Sequence, residues 1–334
     1  MNNINNFSVI IPCYNSSKTI IETLKSLANQ TYKDFEIVIS DDCSNDNSLE
    51  KISKLKIKNL KLIKNNINRG YGPNLEIARK NAKYDKIFII AQDDCIAPKT
   101  LEDYNKIYNS NKLIGGIVRS FYEYTNNIKK PVRVRSALFM QQSPRLVNLN
   151  SDYSEIENIF FLAGNLSGLS FINSKTKVPI NKDIWPAHAY PFLDILKNYY
   201  LAVFPKYNTA IRLHSNQSTF SFAYKESPSI QWARMFNKIL VEKKHKKIKE
   251  KLIENFIGKN YIGLVQIKNF SSYNNLFFEI YYLIKLRKKN IFSLVFWFFA
   301  IGTILVPRTV LLGLVREYKE KINSLMYKKI KLYK

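Results

Sequence analysis

The chain is predicted to adopt an α/β fold in which a mostly parallel central sheet is flanked by helices. Two patterns lead to this prediction. The first half of the 334-residue chain alternates strand-like and helix-like segments, and its strands are short, continuous apolar runs such as Ile87–Ala91. Such runs are typical of strands buried on both faces of a parallel sheet, and their βαβ order implies right-handed crossovers.

The elements of the first half follow one another closely. The predicted strands are Phe7–Ile11, Phe35–Ser40, Leu60–Lys64 and Ile87–Ala91. The predicted helices are Lys18–Asn29, a segment from an N-cap at Ser44 to Leu55, and Asn74–Lys83. Apolar residues recur at helical spacing in the first helix, and Ser is a preferred N-cap residue in the second.

The second half is less regular. Its predicted strands are Leu113–Arg119, Leu169–Asn173 and Leu201–Pro205, and its predicted helices are Asp152–Phe161 and Phe192–Tyr200. The basic, proline-containing segment Arg119–Arg145 is predicted to be a loop.

The composition excludes several classes of protein. Apolar residues make up 46% of the chain, which excludes a mostly disordered protein. Cys13, Cys43 and Cys95 are widely spaced, so we expect a reducing compartment, with no disulfide framework and no zinc site. The N-terminus, M-N-N-I-N-N, has none of the features of a signal peptide, so a cytoplasmic location is expected.

Positive charge is concentrated towards the C-terminus. The net charge is +26, and the segment from Lys225 to Lys334 contains 23 basic and 7 acidic residues. Such a segment suggests an anionic membrane surface or nucleic acid as partner, although an AT-rich genome would also enrich a chain in lysine. The sequence contains no nucleic-acid-binding motif, so nucleic acid is not expected.

Two apolar segments, Ile291–Val306 and Thr309–Val315, lie within this basic region. The first has 16 residues without a charge, whereas a membrane-spanning helix needs about 20. We favour helices that lie in the cytoplasmic membrane interface. A spanning or re-entrant helix and a buried core or subunit contact remain alternatives.

Polar clusters follow the predicted strands. They contain Pro12, Tyr14 and Asn15 after the first strand, Asp41 and Asp42 after the second, Arg69 after the third, and Asp93 and Asp94 after the fourth. Ligands of open α/β sheets bind at such strand ends, and adjacent carboxylates suit a divalent cation. Capping of turns and helices by aspartate is the alternative. Neither a G-x-G-x-x-G nor a G-x-x-x-x-G-K-[ST] motif is present.

The segments F-S-V-I-I-P-C-Y-N, E-I-V-I-S-D-D-C-S-N-D and A-Q-D-D resemble glycosyltransferase family 2, whose members are inverting enzymes with the Rossmann-like GT-A fold. The resemblance covers about residues 7–220. It implies a nucleotide-sugar-binding half at 1–112 and an acceptor-binding half at 113–225, followed by a basic, partly apolar helical region at 226–334. Two departures are Cys43, where glycine is usual, and Gln92, which replaces the first aspartate of a D-x-D motif.

The resemblance also implies roles for individual residues on the donor side. Pro12, Tyr14, Asn15 and Asp42 would line the nucleoside pocket, with Tyr14 against the base and Asp42 accepting a hydrogen bond from its imide N–H. The remaining donor-side residues would be Arg69 near the diphosphate, Asp93 at the ribose or sugar, Asp94 as a ligand of Mg²⁺ or Mn²⁺, and His214 at the metal or the diphosphate. An ordinary surface position for Arg69 and a structural role for His214 are the alternatives.

On the acceptor side, the resemblance implies a carboxylate that deprotonates the attacking hydroxyl, and Asp194 is the candidate for this general base. Trp185, His188 and Tyr190 would form a wall beside the acceptor. Ordinary packing accounts equally well for each of these three side chains.

The predicted function is therefore metal-assisted transfer of a sugar from a nucleoside-diphosphate sugar to a glycan or lipid-linked acceptor, with inversion. We expect a role in capsule, O-antigen or cell-wall polysaccharide synthesis, at the inner face of the plasma membrane, and leave a homodimer open. One alternative is a sugar-nucleotide pyrophosphorylase, which would need a glycine-rich phosphate loop that Pro12–Asn15 lacks. The other is a non-catalytic basic membrane-binding protein, which leaves the strand-end carboxylates unexplained.

Overall fold

The computed structural model describes residues 6–140, 143–213, 221–318, 327 and 329–332. The chain divides into two compact units. The first comprises Met1–Lys182, Ala187–Leu213 and Tyr327–Lys334, and the second comprises Asp183–Pro186 and His214–Met326.

A mixed, mostly parallel sheet forms the centre of the first unit and has ten strands within the described residues. The strands are β1 (Phe7–Cys13), β2 (Phe35–Asp41), β3 (Leu60–Lys64), β4 (Lys86–Ile89), β5 (Cys95–Ile96), β6 (Ile114–Tyr124), β7 (Pro131–Arg135), β8 (Arg145–Val147), β9 (Leu169–Ile172) and β10 (Tyr200–Arg212). Their order is β3-β2-β1-β4-β9-β6-β10-β5, with β7 beside β6 and β8 beside β10. Strands β3, β2, β1 and β4 are parallel, as are β6 and β10, while β9 runs antiparallel between β4 and β6.

Helices flank this sheet. They are α1 (Ile20–Ala28), α2 (Ser48–Lys54), α3 (Tyr71–Lys80), α4 (Thr100–Ser110), α5 (Tyr153–Leu162) and α6 (Tyr190–Leu196). Leu24 and Leu27 of α1 belong to the same buried cluster as Val9 and Ile11 of β1. The core thus joins the apolar stripe of a helix to an apolar run of the sheet, as the sequence pattern predicts.

The prediction of a loop at Arg119–Arg145 is wrong. This segment contains the second half of β6, all of β7 and the start of β8. The sequence P-V-R-V-R of β7 alternates apolar and basic residues, and its proline occupies the first position, where a strand tolerates the missing N–H. The proline and the arginines are untypical of a central strand, so the sequence pattern did not predict β7, which among the described strands pairs only with β6.

The second unit is helical in its described residues. Its helices are α7 (Pro228–Ile239), α8 (Lys246–Lys251), α9 (Ile262–Phe270), α10 (Tyr273–Leu286), α11 (Leu294–Leu305) and α12 (Arg308–Glu317), with a π-helical segment at Leu252–Ile257. Leu264, Ile267, Leu276, Leu283 and Phe296 form its buried core. No helix in the described part of the chain has the length and apolar character needed to cross a membrane.

Candidate active site

The carboxyl ends of β1, β2 and β4 lie side by side. In the sheet register, Cys13 is opposite Asp41, and Ile10 is opposite Ile89. The segments that follow these strands and β3 therefore meet at one edge of the sheet. We call residues 12–15, 41–46, 65–71 and 91–94 the carboxyl edge.

Asp42 holds the loop that follows β3. Its Oδ1 accepts hydrogen bonds from the backbone N–H of Arg69 (2.8 Å) and from Nδ2 of Asn65 (3.1 Å), and its Oδ2 accepts one from the N–H of Gly70 (2.8 Å). A carboxylate offers about four lone-pair positions. The one that remains is on Oδ2, so Asp42 can accept a single hydrogen bond from a ligand.

Gln92 positions Tyr14. Its Oε1 accepts from the backbone N–H of Tyr14 (2.6 Å), and its Nε2 donates to the carbonyl of Tyr14 (3.0 Å). An ionised aspartate has no proton to donate to that carbonyl. The departure from D-x-D therefore exchanges a carboxylate for an amide that fixes the backbone after β1.

The turns after β1 and β2 each contain a residue in the left-handed region. Asn15 has φ +49° and Cys43 has φ +64°. Oδ1 of Asn15 accepts a hydrogen bond from the N–H of Asn45 (3.0 Å), which joins the two turns. The positive φ of Cys43 explains why glycine suits this position in the family that the sequence resembles.

Asp93 and Asp94 are both buried, with 6% and 2% of their surface exposed. Oδ2 of Asp94 accepts from the hydroxyl of Ser167 (2.5 Å), and Oδ1 accepts from the backbone N–H of Arg212 (2.7 Å). Burial and the neighbouring charge of Asp93 raise the pKa of Asp94 well above its usual range. A cation beside the pair would favour the charged carboxylates.

Arg119 supplies fixed positive charge near this pair. It is completely buried in β6 and donates from Nη1 to the carbonyl of Leu162 (2.9 Å), with its guanidinium 4.4 Å from the ring centroid of Phe121. Burial lowers the pKa of Arg119 to about 10. The charge of Arg119 in turn opposes the rise in the pKa of Asp94. Because Arg119 is inaccessible, it acts on the site through its charge.

The carboxylates of the site suit a cation that binds the protein and a substrate at the same time. No group of three or more His, Cys, Asp or Glu side chains suited to a metal occurs among the described residues. Asp93 and Asp94 nevertheless provide adjacent carboxylates, and Mg²⁺ usually binds one or two carboxylates together with substrate phosphates. The two residues fit such an ion. The other predicted ligand, His214, lies outside the described residues.

His188 links α3 to the end of α5. Its Nδ1 is 2.8 Å from the hydroxyl of Tyr71, and its Nε2 is 2.7 Å from the carbonyl of Ala163. Because a carbonyl can only accept, Nε2 carries the proton, and Nδ1 accepts from Tyr71. Burial lowers the pKa of His188 to about 4, so the ring is neutral near pH 7. Both nitrogens are engaged within the protein.

Asp194 is not brought to the carboxyl edge. Its Oδ2 accepts from the hydroxyl of Thr176 (2.8 Å), and its Oδ1 is 2.7 Å from Nζ of Lys197. Thr176 follows the end of β9 that is opposite Lys86, the first residue of β4. These contacts place Asp194 towards the amino ends of the parallel strands, whereas Asp94 follows the carboxyl end of β4. The predicted general base is therefore separated from the other carboxylates.

The three residues predicted for the acceptor wall belong to two different units. His188 and Tyr190 are buried in the first unit. Trp185 belongs to the second unit, where its Nε1 donates to the carbonyl of Ala223 (3.0 Å) and its ring packs against Tyr224. Pro12 is buried in β1, and Arg69 is exposed beside the loop that Asp42 holds.

Several residues of the site were not predicted from the sequence. Ser167 lies in a polar stretch that resembles an ordinary loop. Its hydroxyl nevertheless donates to Asp94, and its Oγ accepts from the N–H of Ala91 (2.7 Å). Arg119 could have been predicted, because an arginine buried within an apolar strand needs hydrogen-bond or charged partners. The role of Tyr71 could not have been predicted, because its partner His188 is 117 residues away in the sequence.

The comparisons with known proteins agree with the predicted fold and family. The family model described as glycosyl transferase family 2 matches residues 8–174, which is half of the chain. This match confirms the predicted family.

Relatives of known name match shorter segments. The poly(ribitol-phosphate) beta-N-acetylglucosaminyltransferase TarS of Staphylococcus aureus is 42% identical over 102 residues, or 29% of this chain and 18% of that protein. A UDP-Glc:alpha-D-GlcNAc-diphosphoundecaprenol beta-1,3-glucosyltransferase of Escherichia coli is 33% identical over 119 residues, or 36% of this chain and 45% of that protein. The matches thus span less than half the length of these relatives.

The structural likeness extends over most of the chain. The crystal structure of S. aureus TarS 1–349 in complex with UDP-GlcNAc has a TM-score of 0.64 and 19% sequence identity, covering 95% of this chain and 93% of that one. At this identity the likeness concerns the fold alone. It confirms the predicted GT-A fold.

Proposed function

Because the chain belongs to glycosyl transferase family 2, we propose that it transfers a sugar from a nucleoside-diphosphate sugar to an acceptor hydroxyl, with inversion at the anomeric carbon. The observation that supports this most is the assembly of Tyr14, Asp42, Asp93 and Asp94 at one edge of the sheet. Nucleotide ligands of α/β folds bind at this edge.

The nucleoside would bind between the turns after β1 and β2. Pro12, Tyr14 and Asn15 would form one wall, with Tyr14 held in place by Gln92. The free position on Oδ2 of Asp42 suits the single imide N–H of uracil, whereas guanine presents two adjacent N–H donors. We therefore propose a uridine diphosphate sugar as donor, which agrees with the ligand of the similar structure.

Asp94, with Asp93 beside it, would hold Mg²⁺ or Mn²⁺ together with the diphosphate, and Arg69 would approach the phosphates from the loop after β3. The cation would neutralise charge on the leaving diphosphate. The chain's own contribution is to fix Asp94 through Ser167 and the N–H of Arg212, and to offset its charge through Arg119.

Inverting transfer also requires a base for the acceptor hydroxyl. Thr176 and Lys197 engage the two carboxylate oxygens of Asp194 near the amino ends of the parallel strands. We therefore propose a structural role for Asp194.

The acceptor is proposed to be a cell-surface glycan or a lipid-linked sugar. One relative is named for a poly(ribitol-phosphate) acceptor and another for a diphosphoundecaprenol-linked one. Synthesis of capsule, O-antigen or cell-wall polysaccharide at the cytoplasmic face of the membrane would accommodate both.

Thermal unfolding with nucleotides tests the donor site. UDP and UDP-sugars with Mn²⁺ or Mg²⁺ should raise the unfolding temperature by several degrees, since a ligand at 100 times its Kd stabilises by about 2.7 kcal/mol. GDP should shift it less. Asp42→Asn and Asp94→Asn should reduce the shift, whereas Asp34→Asn, an exposed aspartate before β2, should leave it unchanged. The proposal fails if no nucleotide shifts the wild-type protein.

A further inference from the structure

We propose that the outward face of α11 binds the headgroup region of an anionic lipid bilayer. This surface, the outer face of α11, consists of Leu294, Phe298, Ile301 and Leu305. The inference concerns the second unit alone and does not depend on which sugar or nucleotide the first unit binds.

The helix α11 is apolar on two opposite sides. Phe296, Ala300 and Thr303 are buried on one side, at most 2% exposed, in contact with the core of the second unit. The outer face follows the i, i+4, i+7, i+11 spacing of a single helical stripe, and its four residues are 87%, 74%, 48% and 73% exposed. A helix that is apolar all round is normally buried on every side.

The exposed apolar surface continues ahead of the helix. Phe292, just before α11, is 88% exposed, and Val295 in its first turn is 58% exposed. Trp297 is partly exposed, and its Nε1 donates to the carbonyl of Ile291 (2.8 Å). An apolar ring with a satisfied polar end is typical of side chains at a membrane interface.

Basic residues stand at both ends of this apolar face. Lys288 and Lys289 precede it, Arg308 follows it, and all three are exposed. Nζ of Lys289 is 3.7 Å from the carboxylate of Glu254, an exposed pair that is weakly bound. No acidic residue occurs in the sequence between Lys288 and Arg316. The charge therefore complements anionic lipid headgroups.

The length of the helix fits a position along the interface. The 12 residues of α11 extend about 18 Å, whereas a bilayer core is about 30 Å thick. A second copy of the chain is a poorer occupant of this face. In a two-fold contact, the same face meets itself, and because both ends are basic, either alignment brings like charges together.

Vesicle flotation with the full chain tests the proposal. We expect binding to phosphatidylcholine vesicles that contain phosphatidylglycerol, weak binding to phosphatidylcholine alone, and release at high salt as the charges are screened. Leu294→Glu/Phe298→Glu should reduce binding at least tenfold. Lys288→Gln/Lys289→Gln should reduce it roughly fivefold per charge.

Val241→Glu is the matched control, because Val241 is 71% exposed in the same unit but lies outside the outer face. It should bind vesicles like the wild type, and all variants should keep the wild-type unfolding temperature. Unchanged binding by Leu294→Glu/Phe298→Glu would overturn the proposal. A dimer in sedimentation velocity that this double variant dissociates would also overturn it, in favour of a contact between copies.

Discussion

Asp42 and His188 both form hydrogen bonds that hold other segments of the protein in place. Asp42 accepts from two backbone N–H groups of the loop after β3, and His188 is held between Tyr71 and Ala163. The shape of the carboxyl edge is therefore set by folding, and a donor would meet a preorganised pocket.

At this scale the first prediction concerns Asp194. Asp194→Asn should transfer sugar at a rate within about twofold of the wild type and lose about 1 kcal/mol of stability, because it breaks the pair with Lys197. Loss of a general base would instead slow transfer by about 10²–10⁴-fold. Initial rates and thermal unfolding measure the two effects.

Lys197→Gln is the matched control, since it breaks the same ion pair and leaves the carboxylate in place. Both variants should transfer sugar at similar rates and lose similar amounts of stability. If Asp194→Asn abolishes transfer while Lys197→Gln retains it, Asp194 is the base, and the structural role proposed for it is wrong.

Among the elements, α3 depends on two glycines with different constraints. Gly70, before the helix, has φ +85° and open space around the position of a Cβ. Gly72, within the first turn, has the carbonyl oxygen of Asn181 only 2.0 Å from the position of a Cβ. One glycine is required by its backbone conformation and the other by the close approach of a loop.

We therefore expect Gly72→Ala to destabilise the first unit by about 1–3 kcal/mol, because a backbone carbonyl must move. Gly70→Ala should cost about 1 kcal/mol through strain alone. Urea unfolding of the two variants would measure the difference. Equal losses, or a larger loss in Gly70→Ala, would contradict the assignment of the clash.

How far the elements could be predicted depended on where they lie in the sheet. Central strands such as β1 and β4 are continuous apolar runs, so their positions follow from the sequence. The strand β7 was missed because its position beside β6 permits a proline and two arginines. Among site residues, Asp42 was predictable because it directly follows β2, and Asp94 because it lies in the short segment after β4. The position of Asp194 was not, because it depends on where α6 packs.

Across the whole molecule, no covalent cross-link was found to join the described elements, and the three cysteines are free. Cys13 and Cys95 are buried, and burial raises the pKa of each thiol to about 12. Cys43 is exposed at the carboxyl edge. The folded chain therefore presents one accessible thiol out of three.

A thiol-reactive reagent should accordingly label one cysteine per native chain and three after denaturation. Cys43→Ser should remove the native reaction, because the buried thiols are protonated and shielded. With a reagent that releases a chromophore on reaction, the absorbance gives the number of thiols labelled per chain. Rapid labelling of Cys13 or Cys95 in the native Cys43→Ser chain would contradict this prediction and show that the core of the first unit opens.

The amide of Gln92 also changes the electrostatics around Asp93 and Asp94. An acidic residue here would place a third carboxylate next to Asp93 and Asp94, and the mutual repulsion of three buried charges would oppose folding until a cation arrived. With a neutral side chain at this position, the repulsion is confined to one pair, which lies near the charge of Arg119. Under the proposed mechanism, folding would therefore not depend on the cation, which would bind together with the diphosphate.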